Sequence, residues 1–207
     1  MKYIIFDFDG TLVDSKDITI DAFNELGDKY KMKSLSREEL EELRKVSIVE
    51  RCKALEFPLY KLPFFVVDFY KVYKQSISKL RVFDGIKEML SVLKNQGYEL
   101  VIISSNSEAN IHEFLRQNDI RDIDHVFCSS NLFGKDKVIK KFLKSYQLRP
   151  HDVMYVGDEH RDLVACRTSG IDMIWVTWGF DTIETLQQEQ PAYTVHTPAD
   201  IVAVVNG

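Results

Sequence analysis

The run Lys2-Tyr3-Ile4-Ile5-Phe6, ending abruptly in Asp7-Phe8-Asp9-Gly10-Thr11, constrains the fold more than any other stretch of this chain. An unbroken apolar run rich in Ile and aromatics predicts a strand buried on both faces, as in a parallel sheet covered by helices. Two carboxylates one residue apart then stand at its C-terminal edge, where open α/β sheets bind their ligands. Strand side chains alternate, so Asp7 and Asp9 share a side only if Phe8 turns away from it. Like charges so placed repel unless a cation lies between them or one keeps its proton. Alone, the stretch also reads as a solvated acidic turn.

The same strand-like signal recurs at Glu99–Ser104, His125–Cys128, Val153–Val156 and Met173–Thr177, with a short last strand at Tyr193–Val195. Helical periodicity fills the intervals at Gly85–Gln96, Ser107–Gln117, Lys135–Tyr146 and Asp162–Ser169, and again at Pro198–Val205. Gly97 and Gly170 supply the expected helix stops. Alternating strand and helix predicts a doubly wound, mostly parallel α/β sheet. From Ser15 to Arg81 the alternation lapses and only helical patterns remain: Asp17–Tyr30, Ser36–Leu55 (opened by a capping box with Glu39) and Phe64–Leu80. The chain of 207 residues therefore divides into an α/β core, 1–15 and 82–207, and an inserted all-helical unit, 16–81, above the first strand's C-terminal edge.

Bulk properties exclude some partners. The net charge is −5, with no long run of one sign, which argues against nucleic acid and favours a small anion held locally. Cys52, Cys128 and Cys166 are odd in number and widely spaced, the pattern of reduced residues in a cytoplasmic protein. No apolar run approaches the roughly 18 residues that span a bilayer, so no membrane partner is expected. Asp7 interrupts the first apolar stretch too early for a signal peptide.

Three further polar features fall at the same predicted sheet edge. Ser105-Asn106 follows the second strand and precedes a helix, where a hydroxyl and free amides form either an anion site or a plain N-cap. Lys135, after Gly134, opens the next helix; a cation is disfavoured there unless another group stabilises it, and Lys137 is a rival for the same role. Gly157-Asp158-Glu159-His160-Arg161-Asp162 brings a second acidic cluster, of which Glu159 reads as a solvated loop residue. Carboxylates with oxygen partners, and no His or Cys set at zinc spacing, suit Mg²⁺ together with a substrate phosphate.

The strings DFDGT (7–11), ISSN (103–106), GK (134–135) and GDEHRD (157–162) resemble, in order, the four motifs of the haloacid-dehalogenase superfamily phosphatases, and most nearly the phosphoglycolate-phosphatase-like group. Asp136 departs from the proline that often follows the third-motif lysine. The resemblance implies a Rossmann-like core with a helical cap and hydrolysis of a small, phosphoglycolate-like phosphorylated metabolite. It implies Asp7 as nucleophile, forming an aspartyl-phosphate, and Asp9 as the acid and base that also ligates Mg²⁺ through its carbonyl. Asp158 would join Asp7 and Asp9 as a metal ligand and Asp162 would orient the metal's water or the lysine. Gly10, Thr11, Ser105, Asn106 and Lys135 would hold the phosphoryl oxygens.

Asp9 distinguishes the chain from dehalogenases, which are similar but lack the second aspartate. A β-phosphoglucomutase-like phosphotransferase would resemble the chain more closely with a histidine near Thr19-Ile20 and an arginine where Ile48 stands. A phosphoryl-accepting receiver domain would need an aspartate after the third strand, where Cys128-Ser129-Ser130 stands, and no helical insertion. Within the cap, Arg44 and Lys45 could reach a second anionic group of the substrate or serve as surface charges. Phe64, Phe65, Phe69, Tyr70 and Tyr73 read as cap core or a dimer contact rather than a ligand pocket.

Overall fold

A computed structural model describes residues 2–129, 131–186 and 189–207. Along the chain run β1 (Tyr3–Phe6), β2 (Val13–Asp14), α1 (Lys16–Glu25), α2 (Gly27–Tyr30), α3 (Arg37–Leu43), α4 (Ile48–Ala54), α5 (Leu62–Gln75), β3 (Arg81–Val82) and α6 (Ile86–Asn95). There follow β4 (Glu99–Ser104), α7 (Glu108–Gln117), β5 (His125–Cys128), α8 (Lys135–Ser145), β6 (Val153–Gly157), α9 (His160–Ser169), β7 (Asp172–Val176), β8 (Tyr193–Val195) and α10 (Pro198–Asn206). Six strands form one sheet in the order β5-β4-β1-β6-β7-β8, and every pairing in it is parallel. This is the doubly wound sheet expected from the sequence, with β1 at its centre.

The period of two along β1 explains how the sheet is covered. Ile4 and Phe6, continued by Phe8, join a core with Leu90 of α6, Phe114 of α7 and Ile201 of α10. Tyr3 and Ile5 face the opposite layer, with Phe142 of α8 and Leu163 of α9. Phe8 is fully buried and meets Phe114 edge-on at 5.3 Å between ring centroids. It therefore turns away from Asp7, as the alternation requires.

The elements between β2 and β3 are all helical, although Arg81, expected at the end of the helical unit 16–81, belongs to β3, and their packing adds detail the periodicity did not carry. The Ser36–Leu55 pattern is two helices, because Ser47 begins a second capping box with Glu50. That box satisfies amide groups locally and lets the chain turn at Arg44–Ser47. Leu26, Tyr30, Cys52, Phe57 and Phe65 form a cluster distinct from both sheet cores. The two ends of this segment are joined: β2 and β3 form an antiparallel ladder, Val13 opposite Val82 and Asp14 opposite Arg81.

Candidate active site

Asp7 leaves β1 with the parity of Tyr3 and Ile5, so its carboxylate points toward the layer where α8 begins. There Lys135, 2% exposed, lies with Nζ 2.6 Å from Asp7 Oδ2 and 2.5 Å from Asp162 Oδ1. Burial disfavours the Lys135 ammonium, but the Asp162 and Asp7 carboxylates outweigh it and raise its pKa above the ordinary lysine value. The two lysines at this helix start differ: Lys137 is exposed, whereas Lys135 is buried and held by two acids.

Asp158 follows β6, the strand beside β1. It is fully buried and accepts hydrogen bonds from Thr11 Oγ1 at 2.6 Å and from the Phe180 amide at 2.6 Å. One ligand-capable oxygen from each of Asp7, Asp158 and Asp162 lies within 4.8 Å of the others. Burial raises the pKa of all three carboxyls, that of Asp162 to about 7. Asp7 Oδ2 is buried, and the partner beside it is the Lys135 ammonium. Two glycines make room for Asp158: a Cβ at Gly10 would lie 2.2 Å from its Oδ2, and one at Gly179 2.1 Å from its Cβ.

Asp9 takes a different direction. Its carboxylate accepts a short hydrogen bond from Tyr73 Oη and another, of 2.8 Å, from Asn106 Nδ2. Burial raises its pKa, while the bonds from Tyr73 and Asn106 pull it down. Its side chain thus stands outside the three-carboxylate group, whereas Asp162, expected to act from behind the ligands, lies within it.

Two expected phosphate binders are committed elsewhere. Asn106 spends its side chain on Asp9, the Ser107 amide and Asn110, and its own amide donates to Ser104 Oγ. The Gly10 amide donates to the Val13 carbonyl and closes the turn after β1. Ser105 remains beside the site, its Oγ accepting from Arg161 at 2.7 Å. Arg44 is not a free anion binder: it donates to the carbonyls of Phe180 and Gly179 and pairs with Glu41. Lys45 is exposed and pairs with Glu42 at 2.9 Å. Both sit beside acids one helical turn earlier, which satisfies their charge locally.

A family model, haloacid dehalogenase-like hydrolase, matches residues 4–176. A phosphoglycolate phosphatase from Synechococcus elongatus is 31% identical, over 99% of this chain and 97% of that protein. A pyrophosphatase from Bacillus pumilus is 22% identical over 98% and 95%. Among solved structures, a haloacid dehalogenase-like hydrolase from Streptococcus pneumoniae superposes with a TM-score of 0.82 at 27% identity, covering 99% of this chain and 98% of that one. The chain belongs to the haloacid dehalogenase-like hydrolases. Its relatives put it in the phosphatase branch of that family of enzymes, in the phosphoglycolate-phosphatase-like group that its four motifs resemble. Among the described residues, no helix of this hydrolase is long and apolar enough to cross a membrane.

Sequence reasoning missed Arg161, Glu159 and Tyr73 in this hydrolase. Glu159 is no solvated loop residue: its side chain, 12% exposed, pairs with Arg161, which also donates to the Leu132 carbonyl. The signal for Arg161 was present as a lone arginine within an acidic string. Tyr73, 1% exposed, gave no sign of its reach to a residue 64 positions away.

Proposed function

We propose that this hydrolase cleaves phosphomonoesters of small metabolites with Mg²⁺ as cofactor, through an aspartyl-phosphate on Asp7. The observation that carries the reading is the buried group of Asp7, Asp158, Asp162 and Lys135 at the C-terminal edge of the central strands. Three carboxylates against one ammonium leave an excess of negative charge that a divalent cation would balance. Three buried carboxylates offering only oxygen ligands fit Mg²⁺. Asp7, Asp158 and the Asp9 carbonyl would hold it, with Asp162 contributing or orienting a water. The bound ion and Lys135 would neutralise charge on the phosphoryl oxygens, and the Ser105 hydroxyl would donate a hydrogen bond to one of them.

In the first step an Asp7 carboxylate oxygen attacks phosphorus and the phosphorus–oxygen ester bond breaks. Asp9 gives its proton to the departing alkoxide, a role suited to a carboxyl whose burial favours the neutral form. In the second step water attacks phosphorus, Asp9 takes the water's proton, and Asp7 and inorganic phosphate are released. Residues 16–81 would act as a cap over the core formed by 1–15 and 82–207, with Tyr73 of α5 reaching Asp9 from that side.

Asp7→Asn tests the reading, assayed on a panel of phosphorylated metabolites with and without Mg²⁺. An amide is a far weaker nucleophile, so turnover should fall at least about a thousandfold while the fold is retained. Undiminished turnover in that variant overturns the assignment.

A further inference from the structure

A cavity of about 210 Å³ lies between the helical segment and the α/β core, lined on the core side by Asp9, the proposed acid, with Leu132, Glu159, Arg161 and Phe180. Leu62, Phe65, Val66, Phe69, Tyr70 and Tyr73 line one side of it, a single stripe of α5. Tyr73 bonds Asp9, and Val66 lies two turns away on the same face, so the cavity runs along roughly 10 Å of helix from the acid. Helices α3 and α4 close it with further aliphatic side chains, among them Leu40, Leu43 and Ile48. The volume exceeds the roughly 150 Å³ of an apolar cavity that accepts a benzene ring.

The cations on its wall are all committed. Arg51 pairs with the buried Asp181, and Arg161 pairs with Glu159. Arg44 and Lys45, which follow Leu43 of that wall, are tied to Glu41 and Glu42. A carboxylate brought in on the alcohol half of a substrate would therefore be buried against apolar carbon without a partner, which is costly. An alkyl or aryl group would lose only its contact with water.

We infer that the alcohol released from this hydrolase is apolar, a chain or ring of about six carbons seated against the α5 stripe, and not a second anionic group. The inference rests on the phosphatase reading and narrows its substrate class. It assigns Phe65, Phe69 and Tyr70, for which the sequence suggested only core or a dimer contact, to specificity, together with Val66.

Two series separate the inference from the reading beneath it. The first measures kcat/KM for n-alkyl phosphates from methyl to hexyl, whose leaving alcohols are chemically alike, beside phosphoglycolate. The expected result is a rise of roughly three- to fourfold per added methylene until the cavity fills, with phosphoglycolate below butyl phosphate. Turnover that is flat or falls with length, or that favours phosphoglycolate, overturns the inference and leaves the phosphatase reading intact. The second series titrates methyl- to hexylphosphonate, which has no ester bond to cleave, into the unmodified Mg²⁺-loaded protein by calorimetry. Absence of turnover in the first series would sink the phosphatase reading, and the binding series would still decide the pocket: Kd should tighten with length, and a constant Kd overturns it. Val66→Phe should reduce the hexyl-to-methyl ratio in both series by about tenfold or more, and an unchanged ratio also counts against the pocket.

Discussion

Two side chains decide how Asp9 behaves, and neither is an acid. Tyr73 and Asn106 both donate to its carboxylate and so favour the charged form, against the burial that favours the neutral one. Tyr73→Phe should therefore raise the Asp9 pKa further. The alkaline limb of the kcat/KM profile, where the acid loses its proton, should move to higher pH with only a several-fold fall at the optimum. An unmoved limb would show that the tyrosine does not tune the acid. Gly10 presents a harder constraint, since it sits at φ +79° and a Cβ there would intrude on Asp158. Gly10→Ala should cost about 1–2 kcal/mol in backbone strain and weaken Mg²⁺ binding, read as a higher Mg²⁺ requirement for activity.

At the scale of elements, the helical segment depends on polar ties as well as its small apolar cluster. Asp68 of α5 bonds Lys29 and Tyr30 of α2, at 2.5 Å and 2.7 Å. Those donors, Lys29 first, hold the Asp68 carboxyl down at about 2, and Tyr30 is correspondingly pushed up to about 12, with burial its first cause. A depressed acid pKa contributes stability above the unfolded value near 4, and that contribution is lost as pH falls through about 2. Asp68→Asn should therefore lower Tm at neutral pH and erase part of the acid-side loss. The effect should stay near 1 kcal/mol or below, because Lys29 is well exposed. Melting curves of the two proteins between pH 2 and 6 should converge toward the acid end, and parallel curves would contradict the tie. Ser47→Ala should cost about 1 kcal/mol through the α4 cap, measured by denaturant unfolding.

For the whole molecule, the buried acidic group should make stability depend on pH and, under the proposed function, on Mg²⁺. Asp162, with its pKa raised to about 7, contributes stability below its unfolded value near 4 and loses it as pH rises through 7. Metal-free protein should thus melt progressively lower between pH 5 and 8. Under the proposed function Mg²⁺ would bind only the ionised, folded group, so millimolar Mg²⁺ should reverse that decline. Asp158→Asn should abolish the Mg²⁺ effect on Tm; a retained effect would mean that the ion binds elsewhere. The pairing of Arg51 with Asp181 and the bonds from Arg44 to Gly179 and Phe180 join the helical segment to the loop that also positions Asp158. Movement of the helical segment during turnover would have to break or carry these bonds.

The amino-acid sequence alone determined the sheet and the positions of the acids along it. Strand period, helix stops and the place of Asp7 and Asp158 just after apolar runs are local properties, and the fold turned them into neighbours because both runs end at one sheet edge. The helical stretch was equally legible, since capping and periodicity are local too, although the ladder of β2 and β3 was too short to leave a pattern. Tertiary structure decided which of two lysines is buried, that Asn106 serves Asp9, that Arg161 serves Ser105 and Glu159, and that Arg44 and Lys45 are spent on other partners. It also decided that the aromatic stripe of α5 lines a cavity as well as packing a core. Residue type and spacing fix what a side chain can do, but its partner depends on which surfaces close over it, and those surfaces come from segments tens of residues apart.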